Sequence, residues 1–312
     1  MRREGSALQG LGVVVLKELS DHLTSARMRV LEWLVVLTAI AALYGAIQQV
    51  RDTTAEDLFL YLRLFTTARE PLPSFVSFLA FLVPLMAIGL GFDAVNGEYN
   101  RRTMSRILSQ PIYRDALLFG KFIAGVVTLS ISLLAMWLLV IGLGLLLLGI
   151  PPNAEEMLRA FIFLLVTIAY VGVWLALAML FSIVFKSAAT AALFSLGLWL
   201  FLTAIWPALA TFIAGAVTAG ADQATQITVA QALARLSPGT LYGEVIAAVL
   251  NPATRSLGPI FLSQMQGAIP GSPLPVVESL MIAWPQIVGL VAGAIVLFVI
   301  GYVVFQRQEV RA

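Results

Sequence analysis

The stretch NGEYNRRTMSRILSQPIYR, residues 96–114, lies between two long apolar runs in a chain that is otherwise poor in charge. Asn96 can begin a helix, and Pro111 cannot continue it. Glu98 falls in the first turn, where the helix dipole favours a carboxylate, and it lies one turn before Arg102. One face of the predicted helix is apolar and is formed by Met104, Ile107 and Leu108. The other faces are basic and carry Arg101, Arg102 and Arg106.

The composition of the chain indicates what class of protein this stretch belongs to. Only 12% of the 312 residues are charged, 60% are hydrophobic, and the mean hydropathy is +0.95. A soluble globule of this length needs more polar surface than these residues supply. The chain is therefore predicted to be a membrane protein, with residues 96–114 as a polar loop between two spans.

Long apolar runs predict the fold class. A bilayer core about 30 Å thick needs roughly 20 mostly apolar helical residues, and six runs of that kind occur. A β-barrel does not fit, because barrel strands alternate in short segments whereas these runs are continuously apolar. We predict an all-α integral membrane protein, a single transmembrane domain over residues 1–312, with spans at 30–50, 74–95, 120–149, 158–185, 187–215 and 281–305.

The cations predict the orientation. If the N-terminus is cytoplasmic, inner segments hold most of the 19 Lys and Arg residues. These are Arg2, Arg3, Lys17, Arg27, Arg29, Arg101, Arg102, Arg106, Arg114, Lys121, Lys186, Arg307 and Arg311. The bias predicts that both termini are cytoplasmic. Because topology explains the basic excess, no nucleic-acid partner is expected.

Three segments outside the spans are expected to lie on the membrane surface. Residues 11–27 predict an N-terminal amphipathic interfacial helix, with an ordinary polar tail as the alternative, and they do not resemble a cleaved signal peptide. Residues 218–280 form a large extracytoplasmic segment, predicted to place short helices around Leu233 and 241–250 over the outer surface. Within residues 51–73 another surface helix is expected.

The residue inventory argues against an enzyme or a metal centre. The chain has no cysteine, and its only histidine, His22, has no second histidine to complete a metal site. Glu155 and Glu156 resemble the paired glutamates of intramembrane CAAX-type proteases, but the spacing to Arg159 is one residue short and the partner histidines are missing. A solvated helix start is the simpler interpretation.

Energy for transport has no source within the chain. Charged residues lie at the span ends, whereas ion-coupled carriers place them inside the membrane. The only Gly-Lys pair, Gly120-Lys121, lacks both the first glycine and the hydroxyl residue of a phosphate-binding loop. We therefore expect no cofactor in this chain; if ATP with Mg drives the protein, a partner binds and hydrolyses it.

Two hypotheses account for residues 96–114 on physical grounds. The loop could anchor on anionic lipid at the cytoplasmic surface, as basic segments beside spans do. Alternatively, its helix is a lever that a cytoplasmic motor pushes. The residues alone leave both open.

The loop also resembles a known family, the permease subunits of type-2 exporter-like ATP-binding-cassette (ABC) transporters. In that family the loop after the second span reads acidic, basic, acidic, variable, Gly-Thr, then Leu-Leu-Ser-x-Pro-Ile/Val-x-Arg and a Gly-Lys. The residues that fit are Glu98, Thr103, Leu108, Ser109, Pro111, Ile112, Arg114, Gly120 and Lys121. Asn100 and Arg102 depart from the pattern, and Arg102 in place of glycine predicts a straighter helix.

The segment before the first span extends the resemblance. Residues 17–21, Lys-Glu-Leu-Ser-Asp, are similar to the family's segment at this position, and also to permeases that serve nitrous-oxide reductase maturation. Together with six spans and cytoplasmic termini, the resemblance covers nearly the whole chain. It implies a permease in the plasma (inner) membrane of a prokaryotic cell.

The resemblance also implies partners and contact residues. Two permease copies, identical or related, would pair within the membrane lipid, and each would place its coupling helix in a groove of a cytoplasmic ABC ATPase. The implied ATPase contacts are Glu98, Tyr99, Asn100, Arg101, Arg102, Thr103 and Arg106. A secondary contact would come from Lys17, Glu18 and Asp21, and residues 109–114 would connect the lever to the third span.

Flexible points within the spans are a further expectation. Pro84, Gly89 and Gly91 in the second span permit a bend that could act as a hinge, or a static kink. Gly289 and Gly293 in the last span could let two helices approach closely.

Three function classes remain at this point. The first is the permease subunit of an ATP-driven ABC exporter. The second is a membrane scaffold that docks cytoplasmic or envelope proteins without transport, and the third is a membrane enzyme. The loop pattern favours the first, and the missing catalytic constellation argues against the third. Neither the substrate nor the pairing of identical copies follows from the sequence.

Overall fold

The computed structural model of the chain describes residues 10–51, 59–103, 112–149, 151–257 and 273–308. Across these residues the regular structure is helical, apart from one isolated bridge between Arg69 and Leu72. The helices are α1 Leu11–Thr24, α2 Ala26–Arg51, α3 Leu60–Thr66, α4 Phe75–Gly91, α5 Asn96–Asn100, α6 Arg114–Leu148, α7 Ala154–Val184, α8 Ala188–Leu200, α9 Trp206–Val217, α10 Gln223–Ala234, α11 Pro238–Leu250 and α12 Val276–Arg307. A short π-helix, Phe201–Ile205, joins α8 to α9.

Six helical stretches of the described chain are long and apolar enough to cross a membrane. They contain α2, α4, α6, α7, the continuous α8–π–α9 segment, and α12. The prediction of an all-helical protein with six spans is confirmed. The chain is a multi-pass membrane protein.

Helix α7 lies at the centre of the bundle and packs against α4, α6, α11 and α12. Glycines on the neighbouring helices allow this close packing. A Cβ on Gly91 of α4 would lie 2.8 Å from Ala178, and one on Gly125 of α6 would lie 2.7 Å from Leu175. At Gly91 the neighbours include the Ala178 Cβ and the Leu175 carbonyl oxygen, which cannot move aside, so α4 approaches α7 more closely than a side chain would permit. At Gly125 the end of the Leu175 side chain would have to shift.

Helix α3 corrects one expectation. Residues 51–73 were predicted to add a surface helix, but Tyr61, Leu62, Leu64 and Phe65 of α3 are all buried in the core. The backbone N–H of Tyr61 donates to a carboxylate oxygen of Glu156 at 2.8 Å. Five of the seven residues of this helix are apolar or aromatic, and the bundle covers them on more than one side.

The segment between the fifth and sixth spans also differs from the prediction that its short helices lie over the outer surface. Its helices α10 and α11 occur close to the positions expected, but α11 packs between α7 and α12 and not over their ends. Tyr242 of α11 stacks on Tyr170, midway along α7, with ring centroids 4.4 Å apart. The α10–α11 hairpin is therefore re-entrant and places its tip, around Ser237, deep in the bundle.

Charged groups also lie inside the bundle, where none was expected. Arg159 of α7 is fully buried and donates to the carbonyls of Val249 and Leu274 and to the Ser279 hydroxyl. These bonds join α7 to the end of α11, to the segment before α12 and to the first turn of α12. Glu244 of α11 accepts from Arg235 and from Gln286 of α12. Apart from Arg235, these partners lie 42 to 120 residues away in sequence, so hydropathy alone did not reveal the contacts.

Candidate functional site

The site is built at the end of the bundle where α1, α5 and the start of α6 meet. Helix α1 lies along α6 because Gly120 leaves room for it: a Cβ on Gly120 would lie 2.6 Å from Val14. Gly10 precedes α1 with a φ of 88°, a left-handed conformation that favours glycine, and lies against Ile112. Glycine at two positions thus fixes how α1 approaches the spans.

Lys121, the residue after Gly120, is the centre of the site. It is buried, and its Nζ lies 2.8 Å from a carboxylate oxygen of Glu18 on α1 and 3.2 Å from one of Glu98 on α5. One ammonium group therefore joins three helices. A buried charge is tolerated only when it is paired and hydrogen-bonded, and two carboxylates satisfy this condition for Lys121. We call Lys17, Glu18, Asp21, Glu98 and Lys121 the charge cluster.

Lys17 extends the charge cluster to the solvent-facing side of α1. Its Nζ lies 3.0 Å from both Glu18 and Asp21, and 3.9 Å from Glu98. Partial burial lowers the pKa of Lys17, but the hydrogen bonds to Asp21 and Glu18 outweigh it, so the pKa lies above its ordinary value. Lys17 is therefore fully charged at neutral pH.

His22 lies beside the charge cluster on the last turn of α1. Burial lowers its pKa from the usual value, and this effect exceeds the opposing attraction of Glu18. Nearby Lys121 lowers the pKa further, whereas Asp21 and Asp93 raise it. The imidazole is therefore neutral at pH 7 and gains its proton only at lower pH than a free histidine does.

The first turn of α5 is held by the end of α7. Ser182 Oγ accepts hydrogen bonds from the backbone N–H groups of Val95 and Asn96, at 2.9 and 3.1 Å. The amide of Asn96 donates to the carbonyl of Phe185, and that of Asn100 to the carbonyl of Lys186. The free donors at a helix start need partners, and here α7 and the loop after it provide them.

Helix α5 ends earlier than the helix predicted from the sequence. It stops at Asn100, and Arg102 adopts a φ of 56°. A non-glycine residue seldom takes this left-handed conformation, which ends a right-handed helix. The straighter helix expected from Arg102 is therefore wrong, because Arg102 adopts the backbone that the family's glycine would supply. Residues 104–111, including Met104, Arg106, Ile107 and Leu108, lie outside the described residues.

Glu98 has different partners from the one predicted. Its carboxylate binds Lys121 and accepts a hydrogen bond from Thr103 Oγ1, while the exposed Arg102 points elsewhere. The backbone N–H of Thr103 also donates to the carbonyl of Glu98. The turn after α5 is thus closed on itself, and Glu98 faces into the bundle.

The predicted contact residues divide into two groups by exposure. Asn100, Arg101 and Arg102 are exposed at the tip of the α5 turn. Tyr99 and Thr103 are half-buried, and Glu18 is buried. We call residues 100–102 the α5 tip, since it is the part of the described loop that a partner can reach.

A cavity of about 350 Å³ adjoins the charge cluster and separates α1 from the start of α2 and the end of α4. Arg27 on its wall forms a bidentate pair with Asp93, at 2.8 and 2.9 Å, and also donates to the carbonyl of Gly89. The lining is charged, with acidic and basic groups from four elements close together.

Comparison with known proteins agrees with this architecture. Residues 13–310 match the family described as ABC-2 family transporter protein. The chain belongs to the ABC-2 transporter family. The resemblance seen in the loop is thereby confirmed, and the chain is a membrane subunit of an ABC transporter.

Two relatives in this family carry the name probable ABC transporter permease protein NosY. The one from Pseudomonas aeruginosa is 34% identical over 143 residues, which cover 44% of this chain and 50% of the relative. The one from Stutzerimonas stutzeri is 34% identical over 70 residues, covering 22% of this chain and 25% of the relative. The chain thus matches half or less of the length of these curated relatives.

Two residues of this ABC-2 permease have roles that the sequence interpretation missed. Lys121 was recognised only as part of a motif, although it joins α1, α5 and α6. Ser182 had no signal in the sequence, because a serine near the end of a span is common. The Gly-Lys motif was the available clue to Lys121, since glycine before a buried lysine allows a helix to cover it.

The first two residues of α6 belong to the same unit. Arg114 donates to the carbonyls of Phe305 and Gln308 at the C-terminus of α12, where the helix dipole favours a cation. Asp115 accepts from Tyr302 and Gln306 of α12. Residues 109–111 lie outside the described residues, but Arg114 connects the start of the third span to the last span.

The predicted hinge residues make packing contacts. Pro84 has no N–H for the carbonyl of Ala80, and the hydroxyl of Tyr170 donates to that carbonyl at 3.3 Å. A Cβ on Gly89 would lie 3.2 Å from Leu31, while Gly91 lies against Ala178. In the last span, a Cβ on Gly289 would lie 3.2 Å from Leu241, whereas Gly293 faces open space.

Proposed function

We propose that this chain is the membrane-spanning half of an ATP-driven exporter, coupled to a separate cytoplasmic ATPase through the α5 tip. ATP and Mg would bind to that ATPase, and a second permease copy, identical or related, would complete the membrane part. The proposal places both termini in the cytoplasm of a prokaryotic cell and the permease in its inner membrane.

The observation that carries this proposal is the charge cluster. A lever must be attached firmly to what it moves, and Lys121 joins α5 to α6 through Glu98 while Ser182 joins it to α7. Force applied to the exposed α5 tip would reach two spans through short polar contacts. Helix α1 shares the same lysine through Glu18 and would move with them.

The contact residues proposed from the family divide into two roles on this geometry. Asn100, Arg101 and Arg102, with Arg106 beyond the described residues, would meet the ATPase directly. Tyr99 and Thr103 would support the turn. Lys17 and Asp21 would add a second contact from the exposed side of α1, while the inward-facing Glu98 and Glu18 would keep α5 and α1 in position. Pro84, Gly89 and Gly91 would be the points at which the second span bends.

The experiment is a mild-detergent pull-down of the tagged chain from its native membranes, followed by mass spectrometry. Wild type is expected to retain a nucleotide-binding ATPase. The double variant Arg101→Glu/Arg102→Glu is expected to lose it, because the exposed positive tip becomes negative. The matched control Arg69→Glu/Arg255→Glu reverses exposed charges away from the α5 tip and should retain the ATPase.

Two results would contradict the proposal. One is retention of the ATPase by Arg101→Glu/Arg102→Glu at the wild-type level, which would place the contact elsewhere. The other is the absence of any ATPase with wild type under several gentle conditions, while other cytoplasmic or envelope proteins are retained. That outcome would favour the scaffold hypothesis.

A further inference from the structure

A second cavity, away from the charge cluster, lies where the re-entrant tip meets the spans. Its volume is about 380 Å³, within the range of small-molecule sites in proteins. Helices α4 and α7, the π-helix, and the start of α11 form its walls. The lining residues are Ser77, Ala80, Phe81, Tyr170, Leu202, Thr203, Pro207, Ser237, Gly239 and Thr240.

The polar side of the cavity is made by the N-terminus of α11. Ser237 occupies the N-cap position but makes no capping hydrogen bond, although serine at this position commonly does. The residue is buried, with 1% of its surface exposed. The backbone N–H of Gly239, in the first turn of α11, has no backbone acceptor within the described chain. A serine that caps nothing and lines a cavity has its hydroxyl available to bind a molecule in that cavity.

Further donors surround this point. The hydroxyls of Thr203 and Thr240 also line the cavity and make no hydrogen bond within the residues that the structure describes. Tyr170 is already engaged, because its hydroxyl donates to the carbonyl of Ala80. The N-terminus of α11 adds the positive end of a helix dipole. Discontinuous helices in other transporters point such termini at substrate oxygens.

The rest of the cavity wall is apolar, so the ligand should have an apolar part as well as a polar one. Phe81, Leu202 and Pro207 lie around the cavity, and among the described residues that line it none carries a charge. The helix dipole disfavours a cation, and without a basic side chain a multiply charged anion would be poorly stabilised. At about 30 Å³ for each water-sized group, the space holds roughly a dozen non-hydrogen atoms.

The π-helix is a second sign that this place serves a function. Thr203 lies within it, and Pro207, which follows, has no N–H to return to the Thr203 carbonyl. The irregular turn opens the α8–α9 span opposite the tip of α11. Such turns within α-helices occur frequently at functional sites.

We propose that this cavity binds the transported substrate, a single-chain amphiphile with an oxygen-rich head group that carries at most one negative charge. The head group accepts hydrogen bonds from Ser237, Gly239 and Thr240, and the apolar part lies against Phe81, Leu202 and Pro207. The assignment of the ligand as a substrate rests on the proposed function, whereas the binding site itself does not.

The test uses photolabelling of the full chain in lipid nanodiscs free of detergent. The probes are diazirine-bearing decanoate and its trimethylammonium counterpart with the same alkyl chain. Saturable decanoate labelling is expected on peptides that contain residues 199–210 and 235–242, and unlabelled decanoate should compete. The cationic probe should not label these peptides saturably, because the helix terminus repels it.

Three variants examine the site. Gly239→Leu places a side chain toward Ser237 Oγ and the Tyr170 hydroxyl, 3.5 and 3.6 Å from its Cβ, and should fill the cavity and abolish saturable labelling. Ser237→Ala and Thr203→Val each remove one hydroxyl and should raise the half-saturating probe concentration about fivefold. Thr228→Val, on the exposed face of α10, should leave it unchanged. Thermal unfolding of each variant shows whether the fold is retained.

The outcomes separate the site from the proposed function. Equal saturable labelling by both probes, displacement of decanoate by bilayer lipid, or unchanged labelling in Thr203→Val and folded Ser237→Ala would overturn the proposal. Retention of the ATPase by Gly239→Leu in the pull-down, with loss of labelling, would support both. If wild type retains no ATPase in the pull-down but is still labelled saturably, the proposed coupling to an ATPase is wrong and the binding site stands.

Discussion

Lys121 shows how a single residue can connect three helices at the membrane surface. In the folded chain the Lys121 ammonium group binds the carboxylates of Glu18 and Glu98 in place of water, and the surrounding helices exclude solvent. Such a pair contributes little net stability compared with apolar residues, but removing one partner leaves charges uncompensated. The value of Lys121 is therefore that it holds α1 and α5 in one position.

Replacing Lys121 tests this role. Lys121→Met keeps the length of the side chain but removes the buried cation between Glu18 and Glu98, and only the half-exposed Lys17 stays close to both carboxylates. Because Lys17 compensates only in part, we expect a loss of about 3 kcal/mol in the free energy of unfolding. Thermal unfolding of the purified protein measures the change. The control Lys186→Met removes an exposed lysine at the same end of the bundle and should change stability by less than about 0.5 kcal/mol.

The combined change Lys121→Met/Glu18→Gln separates charge from packing. If charge repulsion dominates, the double variant should be more stable than Lys121→Met alone, because one of the uncompensated carboxylates is gone. A double variant that is less stable than either single variant would contradict the electrostatic account.

His22 makes this end of the molecule sensitive to pH. Its pKa is lowered by burial in the folded chain, so the unfolded chain binds more protons as the pH falls below about 6.5. Stability is therefore complete above that pH and decreases as the pH falls toward the lowered pKa. Unfolding temperatures compared at about pH 7.5 and 5.5 should fall less in His22→Gln than in wild type.

The chain makes this comparison simple, because His22 is its only histidine. Carboxylates titrate mainly at lower pH, and they remain in both proteins as a shared background. An identical decrease in unfolding temperature in wild type and His22→Gln would show that burial of the imidazole has no effect on stability.

At the scale of elements, α1 owes its position to the surface of α6. Gly120 lies beneath Val14, and the distance of 2.6 Å from its hypothetical Cβ leaves no room for a methyl group. Gly142, on the same helix, has no atom within 4 Å of the equivalent point. The two glycines provide a matched pair.

Alanine at these two positions should have opposite effects. Gly142→Ala is expected to stabilise the protein by roughly 0.5–1 kcal/mol, because alanine favours a helix interior over glycine. Gly120→Ala should destabilise it by about 1–3 kcal/mol, because Val14 and α1 must shift. Hydrogen exchange should show the loss of protection within α1. Equal effects of the two substitutions would contradict the close approach of α1 to α6.

The elements also show what local patterns predict well. Each of the six spans could be predicted because a run of about 20 apolar residues has no stable alternative outside a bilayer. Helix α11 could be predicted to exist but not to insert between α7 and α12, because an apolar helix of 13 residues looks the same on a surface and in a bundle. Its position depends on the contact between Tyr242 and Tyr170. These two residues lie far apart in the sequence, so local patterns do not predict the contact.

The site was predictable only in part for the same reason. The α5 loop was located correctly by its position between two spans and by its motif. The partners of Glu98 were not predicted, because Lys121 is 23 residues away and lies closer in space than the sequence neighbour Arg102. Likewise, φ at Arg102 depends on how Thr103 returns to Glu98, which helix propensity does not report.

At the scale of the whole molecule, the two ends of the bundle differ in kind. One end carries the charge cluster and the α5 tip, where polar contacts connect α1, α5, α6, α7 and α12. The other carries the buried Arg159 and the start of the re-entrant hairpin. In the proposed exporter, this asymmetry would let energy enter at one end and substrate leave at the other.

The most direct measurement is photo-crosslinking from the α5 tip in native membranes. A photoreactive amino acid replaces Asn100, which is exposed at the tip, and in a control it replaces Asn251, exposed at the other end of the bundle. The account predicts an adduct with a nucleotide-binding ATPase from position 100 and none from position 251. Adducts from position 100 with lipid alone, or ATPase adducts at equal yield from both positions, would contradict it.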